Sequence, residues 1–174
     1  IAVCISGGKD SMLMAKLMQE LHRHSDVPFE LVFLVMDPGY NAINRQRIES
    51  NAALLHIPIT VFETNIFEVA NSTDKSPCYL CARMRRGHLY KKAQELGCNK
   101  IAYAHHKDDL IETALMSLLY EGRFYAFPPV THLDRTDLTV IRPLMLVSEA
   151  DVKGFRNKYQ LPVCKNPCPV DGKT

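Results

Sequence analysis

The sequence predicts an α/β protein with a Rossmann-like parallel sheet and helices on both faces of that sheet. Over residues 1–122, short apolar runs alternate with segments of helical periodicity, which is the pattern of a parallel sheet. Glycine and proline turn signals separate these segments. The length of 174 residues fits a single domain with a substantial core. A content of 47% hydrophobic and 23% charged residues is typical of a globular protein.

Four strands and four helices are predicted in the first part of the chain. The strands occupy residues 1–6, 29–36, 59–63 and 100–104, and the helices residues 12–24, 41–56, 78–96 and 108–120. Gly97 and Gly122 end the last two of these helices. Ligands of parallel sheets bind beyond the carboxyl ends of the strands. The loops after Ser6, Met36 and Ala104 are therefore expected on one binding rim.

Residues 123–174 differ from the rest of the chain because they are rich in proline. They contain one clear helix, residues 148–159, with Ser148 and Asp151 in a capping-box arrangement. A loop or hairpin is expected over residues 123–139. We therefore divide the single domain, residues 1–174, into a nucleotide-binding core (1–122) and an extension (123–174). The chain begins inside a strand without an initiator methionine, so we expect it to be truncated at one or both ends.

Charge, hydropathy and cysteine content restrict the possible classes of protein. No apolar run is long enough to span a bilayer, and no signal peptide is visible, so no membrane partner is expected. A formal net charge of +2 gives no global signal for nucleic-acid binding. Six cysteines are too few for a disulfide scaffold, and two of them form a C-x-x-C motif. These features favour a reducing, cytoplasmic setting.

The segment "SGGKDS", residues 6–11, has the composition of a phosphate-binding loop. Gly7 and Gly8 let backbone N–H groups approach an anion, and the following helix directs its N-terminus at the same point. Lys9 adds positive charge, and the flanking serines add hydroxyl donors. The spacing is neither that of a Walker A loop nor that of G-x-G-x-x-G. Asp10 would repel a bare phosphate, which leaves its role open at this point.

This loop resembles the pyrophosphate loop of the N-type ATP pyrophosphatases, also called the PP-loop or adenine nucleotide alpha hydrolase-like proteins. Members cleave ATP between its α and β phosphates and transfer AMP to a substrate oxygen. The resemblance implies that Asp10 meets magnesium that bridges the phosphates, because Mg²⁺ prefers hard oxygen ligands. It also implies an ATP-binding loop formed by Ser6, Gly7, Gly8, Lys9, Asp10 and Ser11.

The segment "HHKDDLIET" supplies a second acidic group at the same rim. Asp109 and Glu112 share one face at the start of a helix, where they would also suit the helix dipole. His105 and His106 end the preceding strand. We expect Asp109, and secondarily Glu112, to bind magnesium or phosphate, and we place His105 in the ATP site. One of the two histidines is also compatible with a packing role, and the sequence leaves open which one.

Asp37 follows the second strand, where related folds meet the nucleoside, so we include it in the predicted ATP site. An aspartate before Pro-Gly is equally expected for local turn chemistry. Both interpretations stay open from the sequence.

Cys78 and Cys81 begin a helix that carries several arginines, a setting that favours thiolates. A lone C-x-x-C is compatible with a thioredoxin-like motif, half of a zinc site or part of an iron–sulfur site. Five ordered motifs are more specific, and they resemble the tRNA 2-thiocytidine synthetase-like proteins: "SGGKDS", "PCYLCARMRR", "HHKDD..ET", "IRPL" and "NPCPVDG".

That resemblance implies a [4Fe–4S] cluster held by Cys78, Cys81 and Cys168, with the fourth iron left to bind the transferred sulfur. Cys164 is the competing third ligand, and together with Cys168 it could instead complete a four-thiolate zinc site. We prefer Cys168 because Pro-Cys-x-x-x-Gly is the matching sequence context. The expected catalytic residues are then Asp10, Cys78 and Cys168.

The helix after the C-x-x-C motif is basic, and Arg83, Arg85 and Arg86 are its expected RNA contacts. The resemblance implies an ATP-dependent tRNA sulfurtransferase that adenylates the C2 oxygen of a pyrimidine and replaces it with sulfur. Its partners would be tRNA, a sulfur donor (a cysteine desulfurase or sulfide) and possible second copies in a homodimer. Two alternatives stay open: an adenylating ligase with an amine nucleophile, of the lysidine or amide synthetase type, and a non-catalytic nucleotide-binding metal or redox protein.

Overall fold

The structure, a computed structural model, describes residues 1–72, 77–164 and 168. In these residues the strands are β1 (Ala2–Ile5), β2 (Val32–Asp37), β3 (Ile59–Glu63), β4 (Lys100–Ala102), β5 (Val130–Leu133) and β6 (Leu138–Ile141). The helices are α1 (Lys9–His24), α2 (Ala42–Leu54), α3 (Ile66–Asn71), α4 (Pro77–Glu95), α5 (Lys107–Glu121) and α6 (Glu149–Tyr159). None of the described helices is long and apolar enough to cross a membrane.

The six strands form one sheet in the order β3-β2-β1-β4-β6-β5. All neighbouring pairs are parallel except β5 and β6, which form an antiparallel hairpin at one edge. The chain proceeds outward from β1 through β2 and β3, and then returns to the other side of β1 with β4. The predicted α/β class is therefore confirmed. The change of direction lies between β1 and β4, which is where open α/β sheets bind ligands.

Helices cover both faces of the sheet, as the sequence predicts. On one face, Val3 and Ile5 of β1 belong to a core cluster with buried residues of α1, α2 and α6. On the other face, Ala2 and Leu34 pack with buried residues of α3 and α4. The alternation of side chains along β1 therefore serves two separate apolar cores.

Three features differ from the sequence prediction. α1 begins at Lys9, three residues before the predicted start, and the short helix α3 was not predicted. The expected loop or hairpin over residues 123–139 contains β5 and leads into β6, which pairs in parallel with β4. The sheet therefore continues past residue 122 into the segment that we treated as an extension. The strands β5 and β6 lie among prolines, which interrupt the strand pattern in the sequence.

Two contacts of Gly7, with α2 and with the segment after α6, hold the turn from β1 into α1 in place. Gly7 has a φ of +85°, and an added Cβ would lie 2.8 Å from Cγ1 of Ile48 on α2. The carbonyl oxygen of Gly7 accepts a hydrogen bond of 2.8 Å from the backbone N–H of Cys164. Gly8 has an ordinary φ of −74°, and the nearest atom to its added Cβ would be Oγ of Ser6 at 3.6 Å. The first glycine is thus required by backbone conformation and packing, whereas the second is not.

Alanine substitutions of the two glycines should therefore differ in their effect on the free energy of unfolding. Gly7→Ala should lower the free energy of unfolding by roughly 1–3 kcal/mol, through backbone strain and overpacking against Ile48. Gly8→Ala should lower that free energy by less, about 0.5–1 kcal/mol, because Gly8 is the N-cap of α1, where alanine is less favourable than glycine. Urea unfolding of both variants tests this expectation, and equal destabilisation of the two would contradict it.

Candidate active site

A cavity of about 780 Å³ lies at the carboxyl ends of β1, β2, β4 and β6. The segments that follow these strands and one side of α4 form its walls. It is lined by Cys4, Ile5, Ser6, Asp10, Ser11, Met36, Tyr40, Ala82, Arg85, Arg86, Leu89, Tyr90, Tyr103, Ala104, His105, Asp109, Tyr125, Phe127 and Arg142. The predicted rim is thus a continuous cavity, and it is large enough for a nucleotide-sized ligand.

The SGGKDS loop contributes Ser6, Asp10 and Ser11 to the cavity wall. Oγ of Ser11 donates to the carbonyl oxygen of Gly8 at 3.1 Å and accepts from the backbone N–H of Ser6 at 3.1 Å. Oδ2 of Asp10 accepts a hydrogen bond of 3.0 Å from Nζ of Lys9. Oδ1 of Asp10 is buried and makes no hydrogen bond within the described part of the chain, and Nε2 of His106 lies 3.8 Å from it. A carboxylate oxygen in a cavity wall that accepts no hydrogen bond fits a cation ligand.

Lys9 is held by two carboxylates and is not among the cavity-lining residues. Its Nζ lies 3.0 Å from Asp10 and 3.0 Å from Oε1 of Glu149 at the start of α6. Burial lowers the pKa of Lys9, but hydrogen bonds to Glu149 and Asp10 outweigh burial and raise the pKa above its usual value. Hydrogen bonds from Lys153 and Lys9 lower the pKa of Glu149 to about 2. The lysine is therefore a fixed cation beside the loop.

The structure separates the two histidines after β4. His106 is buried, and its ring nitrogen Nδ1 caps α5 by accepting from the N–H of Asp109 at 3.3 Å. In return, Oδ2 of Asp109 accepts from the N–H of His106 at 2.8 Å. His105 instead lines the cavity beside Asp109. Burial lowers the pKa of His105, and Arg142 lowers it further, so the imidazole is neutral at pH 7.

Asp37 and Glu112 lie outside the cavity lining. Oδ1 of Asp37 accepts from the N–H groups of Gly39 and Tyr40 at 2.9 and 2.6 Å, which is a local turn that presents Tyr40 to the cavity. Nη1 of Arg45 lies 3.7 Å from Oδ2 of Asp37. Glu112 is exposed on α5. Asp37 therefore stabilises the local turn, and a contact of Asp37 with a nucleoside stays a prediction.

Cys78 and Cys81 occupy the start of α4, the first exposed and the second half-buried, and Cys168 is half-buried. Over residues 1–72, 77–164 and 168, no three His, Cys, Asp or Glu side chains form a group that could hold a metal ion. Most of the NPCPVDG motif lies outside the described residues.

Cys164 behaves as a packing residue. Its side chain is buried in the core cluster with α1 and α2, and Nδ2 of Asn51 lies 3.6 Å from its Sγ. Burial raises the pKa of the Cys164 thiol, which disfavours the thiolate that a metal requires. These observations favour Cys168 over Cys164 as a third cluster ligand.

Of the three arginines in the first half of α4, two line the cavity and one lies on the surface. Arg85 and Arg86 line the cavity, and the guanidinium of Arg85 lies 5.6 Å from the ring centre of Phe67. Arg83 is exposed and is not among the lining residues. RNA contacts by the three arginines stay a prediction. Of the three, only Arg83 lies outside the cavity lining.

Sequence reasoning did not assign several residues of the cavity wall, chiefly Tyr40, Tyr103, Phe127 and Arg142. Arg142 belongs to the "IRPL" motif, and Phe127 to the aromatic segment "FYAF". These two segments were the sequence features that could have identified the residues. Their position could not be inferred without knowing that β6 lies beside β4 and therefore ends at the same cavity.

The ion pairs of Glu149 with Lys153 and Lys9 generate a pH-dependent prediction. Because the pKa of Glu149 falls from 4.5 to about 2 on folding, its contribution to stability is present above pH 4.5 and is lost as pH falls towards 2. The difference in free energy of unfolding between the wild type and Glu149→Gln should therefore be constant near neutrality and shrink between pH 4.5 and 2. Urea unfolding across this range measures it, with Glu112→Gln as the exposed-carboxylate control. An unchanged difference at pH 3 would refute the assignment.

Comparisons with known proteins agree with this geometry. The PP-loop domain family matches residues 1–168. The tRNA-cytidine(32) 2-sulfurtransferase of Pelobacter propionicus is 38% identical over 177 residues, which is 100% of this chain and 66% of the relative. The enzyme of the same name from Geobacter sulfurreducens is 38% identical over 175 residues, or 99% of this chain and 68% of the relative.

Among solved structures, the U34-tRNA thiolase NcsA from Methanococcus maripaludis with its [4Fe–4S] cluster is similar, with a TM-score of 0.74 and 23% identity. The match covers 97% of this chain and 58% of that chain, and it shows the shared fold. The present chain thus spans about two thirds of the length of the first two curated relatives. The sequence motifs predicted this relationship, and the chain belongs to the PP-loop family, with tRNA-cytidine(32) 2-sulfurtransferases among its similar members.

Proposed function

We propose that this chain is the catalytic domain of an ATP-dependent tRNA sulfurtransferase that replaces the C2 oxygen of a cytidine with sulfur. One observation carries the proposal: the cavity joins the SGGKDS loop to Asp109 and His105 at the switch point of a PP-loop fold. The match of this whole chain to about two thirds of the length of sulfurtransferases named for cytidine 32 supports the substrate class.

The ATP phosphates bind at the loop between β1 and α1, where the α1 N-terminus and Lys9 supply positive charge. Oδ1 of Asp10, which makes no hydrogen bond within the described residues, and the carboxylate of Asp109, which also lines the cavity, are the oxygen ligands that suit Mg²⁺. When bound, the metal offsets phosphate charge during displacement. Asp109 retains its capping bond to His106 N–H, which orients its carboxylate.

The proposed reaction has two displacements. In the first, the C2 oxygen of cytosine attacks the α-phosphorus of ATP, the bond to the bridging oxygen breaks, and pyrophosphate leaves with the bonding electrons. In the second, sulfide adds to C2, the C2–O bond breaks, and AMP leaves as the sulfur loses its proton to solvent. The protein orients the reactants and stabilises charge on the phosphates.

Cys78, Cys81 and Cys168 are the proposed cluster ligands. The first two lie one helical turn apart at the start of α4, and the packed state of Cys164 leaves Cys168 as the better third thiolate. A [4Fe–4S] group with three cysteine ligands, when bound, supplies one open iron position for sulfide delivery.

Sulfide or a cysteine desulfurase is the proposed sulfur source. Thiolate ligands persist in a reducing compartment, which supports a cytoplasmic location, and a homodimer stays a prediction.

The function is tested by anaerobic incubation with ATP, sulfide and an unmodified tRNA transcript. We expect pyrophosphate release that depends on the tRNA, together with 2-thiocytidine found by nucleoside mass spectrometry. Pyrophosphate release without thiolation would favour an amine-using ligase instead. No tRNA-dependent release would favour a non-catalytic nucleotide-binding protein.

Asp10→Asn should lower the rate of pyrophosphate release by roughly 100-fold or more, because an amide is a poor substitute for an anionic magnesium ligand. Asp151→Asn, at the start of α6 and outside the cavity, is the matched control and should keep the wild-type rate. Retained activity in Asp10→Asn with normal magnesium dependence would refute the assignment.

Cys168→Ala should abolish the brown colour and iron content of anaerobically purified protein. Cys164→Ala should keep both and instead lower the free energy of unfolding by about 1 kcal/mol, because it removes a buried sulfur atom from the core. Iron analysis and urea unfolding of the two variants provide the measurement. Cluster loss in Cys164→Ala alone would reverse the ligand assignment, and zinc in place of iron would exclude the cluster.

A further inference from the structure

One wall of the cavity lies apart from the loop that binds the phosphates in the proposed reaction, and we assign its one residue from the predicted ATP site, His105, a different role. It consists of His105, Phe127 and Arg142, which follow β4, precede β5 and follow β6, respectively. We refer to these three residues as the aromatic–arginine wall. The ring centres of His105 and Phe127 lie 4.9 Å apart, and Cζ of Arg142 lies 4.9 Å from the centre of Phe127. The ring of Phe127 is therefore in contact with both of the other groups, and all three line the cavity.

The guanidinium of Arg142 is held rigidly. Its Nη1 donates to the carbonyl oxygen of Pro128 at 2.6 Å and to Oγ1 of Thr131 at 3.2 Å. Its Nε is buried and has no hydrogen-bond partner in the described ranges. A buried N–H donor without an acceptor costs free energy that a bound ligand can recover. A fixed donor in a cavity wall is therefore suited to an acceptor on a bound ligand.

His105 offers a second buried polar atom in the same wall. Its Nδ1 also lacks a hydrogen-bond partner among the described residues. A neutral imidazole can accept a hydrogen bond at one nitrogen while the other carries the proton. Cytosine presents acceptors at O2 and N3 and a donor at its N4 amino group. The guanidinium donor and the imidazole acceptor match this pattern, whereas uracil has a donor at N3 and an acceptor at O4.

The location of the wall favours a base that arrives on a macromolecule. β1 lies between β2 and β4, so the SGGKDS loop divides the cavity into a side with Met36 and Tyr40 and a side with the aromatic–arginine wall. On the latter side the wall continues into Tyr125, which is 48% exposed, and Cζ of Arg123 lies 5.2 Å from the centre of its ring. An exposed aromatic ring beside a cation is suited to a nucleic-acid strand.

We propose that the aromatic–arginine wall holds the base that is thiolated and selects cytosine over uracil. Phe127 stacks on the base, Arg142 donates to its O2 or N3 edge, and His105 accepts from its amino group. The adenine and phosphates of ATP occupy the other side of the loop. This inference rests on the proposed function, since it names the substrate contacts of that reaction.

The test uses two tRNA transcripts that differ only by cytidine or uridine at position 32. Anisotropy titrations give the Kd of each transcript, a separate titration gives the Kd of ATP, and thiolation assays give KM and kcat. Phe127→Leu keeps the hydrogen bonds of Arg142, so it remains informative if Arg142→Met does not fold. Arg135→Met, in the turn between β5 and β6, removes the same charge from the same hairpin without touching the cavity.

We expect the wild type to prefer the cytidine transcript. Phe127→Leu and Arg142→Met should raise the KM for tRNA about tenfold and abolish that preference. The Kd of ATP should not change, and Arg135→Met should behave as the wild type. A weaker Kd for ATP in the wall variants would assign the wall to adenine and overturn the inference, as would an unchanged KM and preference. Failure of the wild type itself to thiolate would instead refute the proposed function.

Discussion

The hydrogen bond from the N–H of Cys164 to the carbonyl oxygen of Gly7 is the contact on which the site depends. It joins the first loop of the chain to the segment that follows α6. Because the φ of Gly7 is +85° and Ile48 of α2 packs directly against it, the loop has little room to move towards α2. Ser6, Asp10 and Ser11 are thereby kept at the cavity wall. The side chain of Cys164 is buried in the same region, which favours a packing role for that thiol.

A second set of interactions joins the helices that begin around the cavity. Oδ2 of Asp108, on the first turn of α5, accepts a hydrogen bond of 2.7 Å from the N–H of Glu149 on α6. The side chain of Glu149 in turn pairs with Lys9 on α1. The N-termini of α1, α5 and α6 are therefore linked through two carboxylates, which also compensate the positive ends of the helix dipoles. A ligand at the loop would be met by three helices with fixed relative positions.

The sequence was sufficient for the α/β class and for the placement of two motifs at one rim of the sheet, because each motif follows a strand in a strongly periodic part of the chain. The adjacency of SGGKDS and HHKDD follows from the pairing of β1 with β4. The sequence was insufficient for β6, which lies in the proline-rich part of the chain, and for its parallel pairing with β4. Arg142 and Phe127 were consequently not assigned, since their place at the cavity depends on that pairing. The choice between His105 and His106 required the capping geometry of α5, which no spacing rule provides.

The central claim is that the C2 oxygen of cytidine is transferred to AMP at this cavity. It is tested most directly with a tRNA transcript whose target cytidine carries a heavy oxygen isotope at O2, in a single turnover with unlabelled ATP and sulfide. Mass spectrometry of the released nucleotide then reports the origin of the oxygen. We expect AMP that contains one heavy oxygen atom for each 2-thiocytidine formed. Thiolated tRNA accompanied by unlabelled AMP would contradict it.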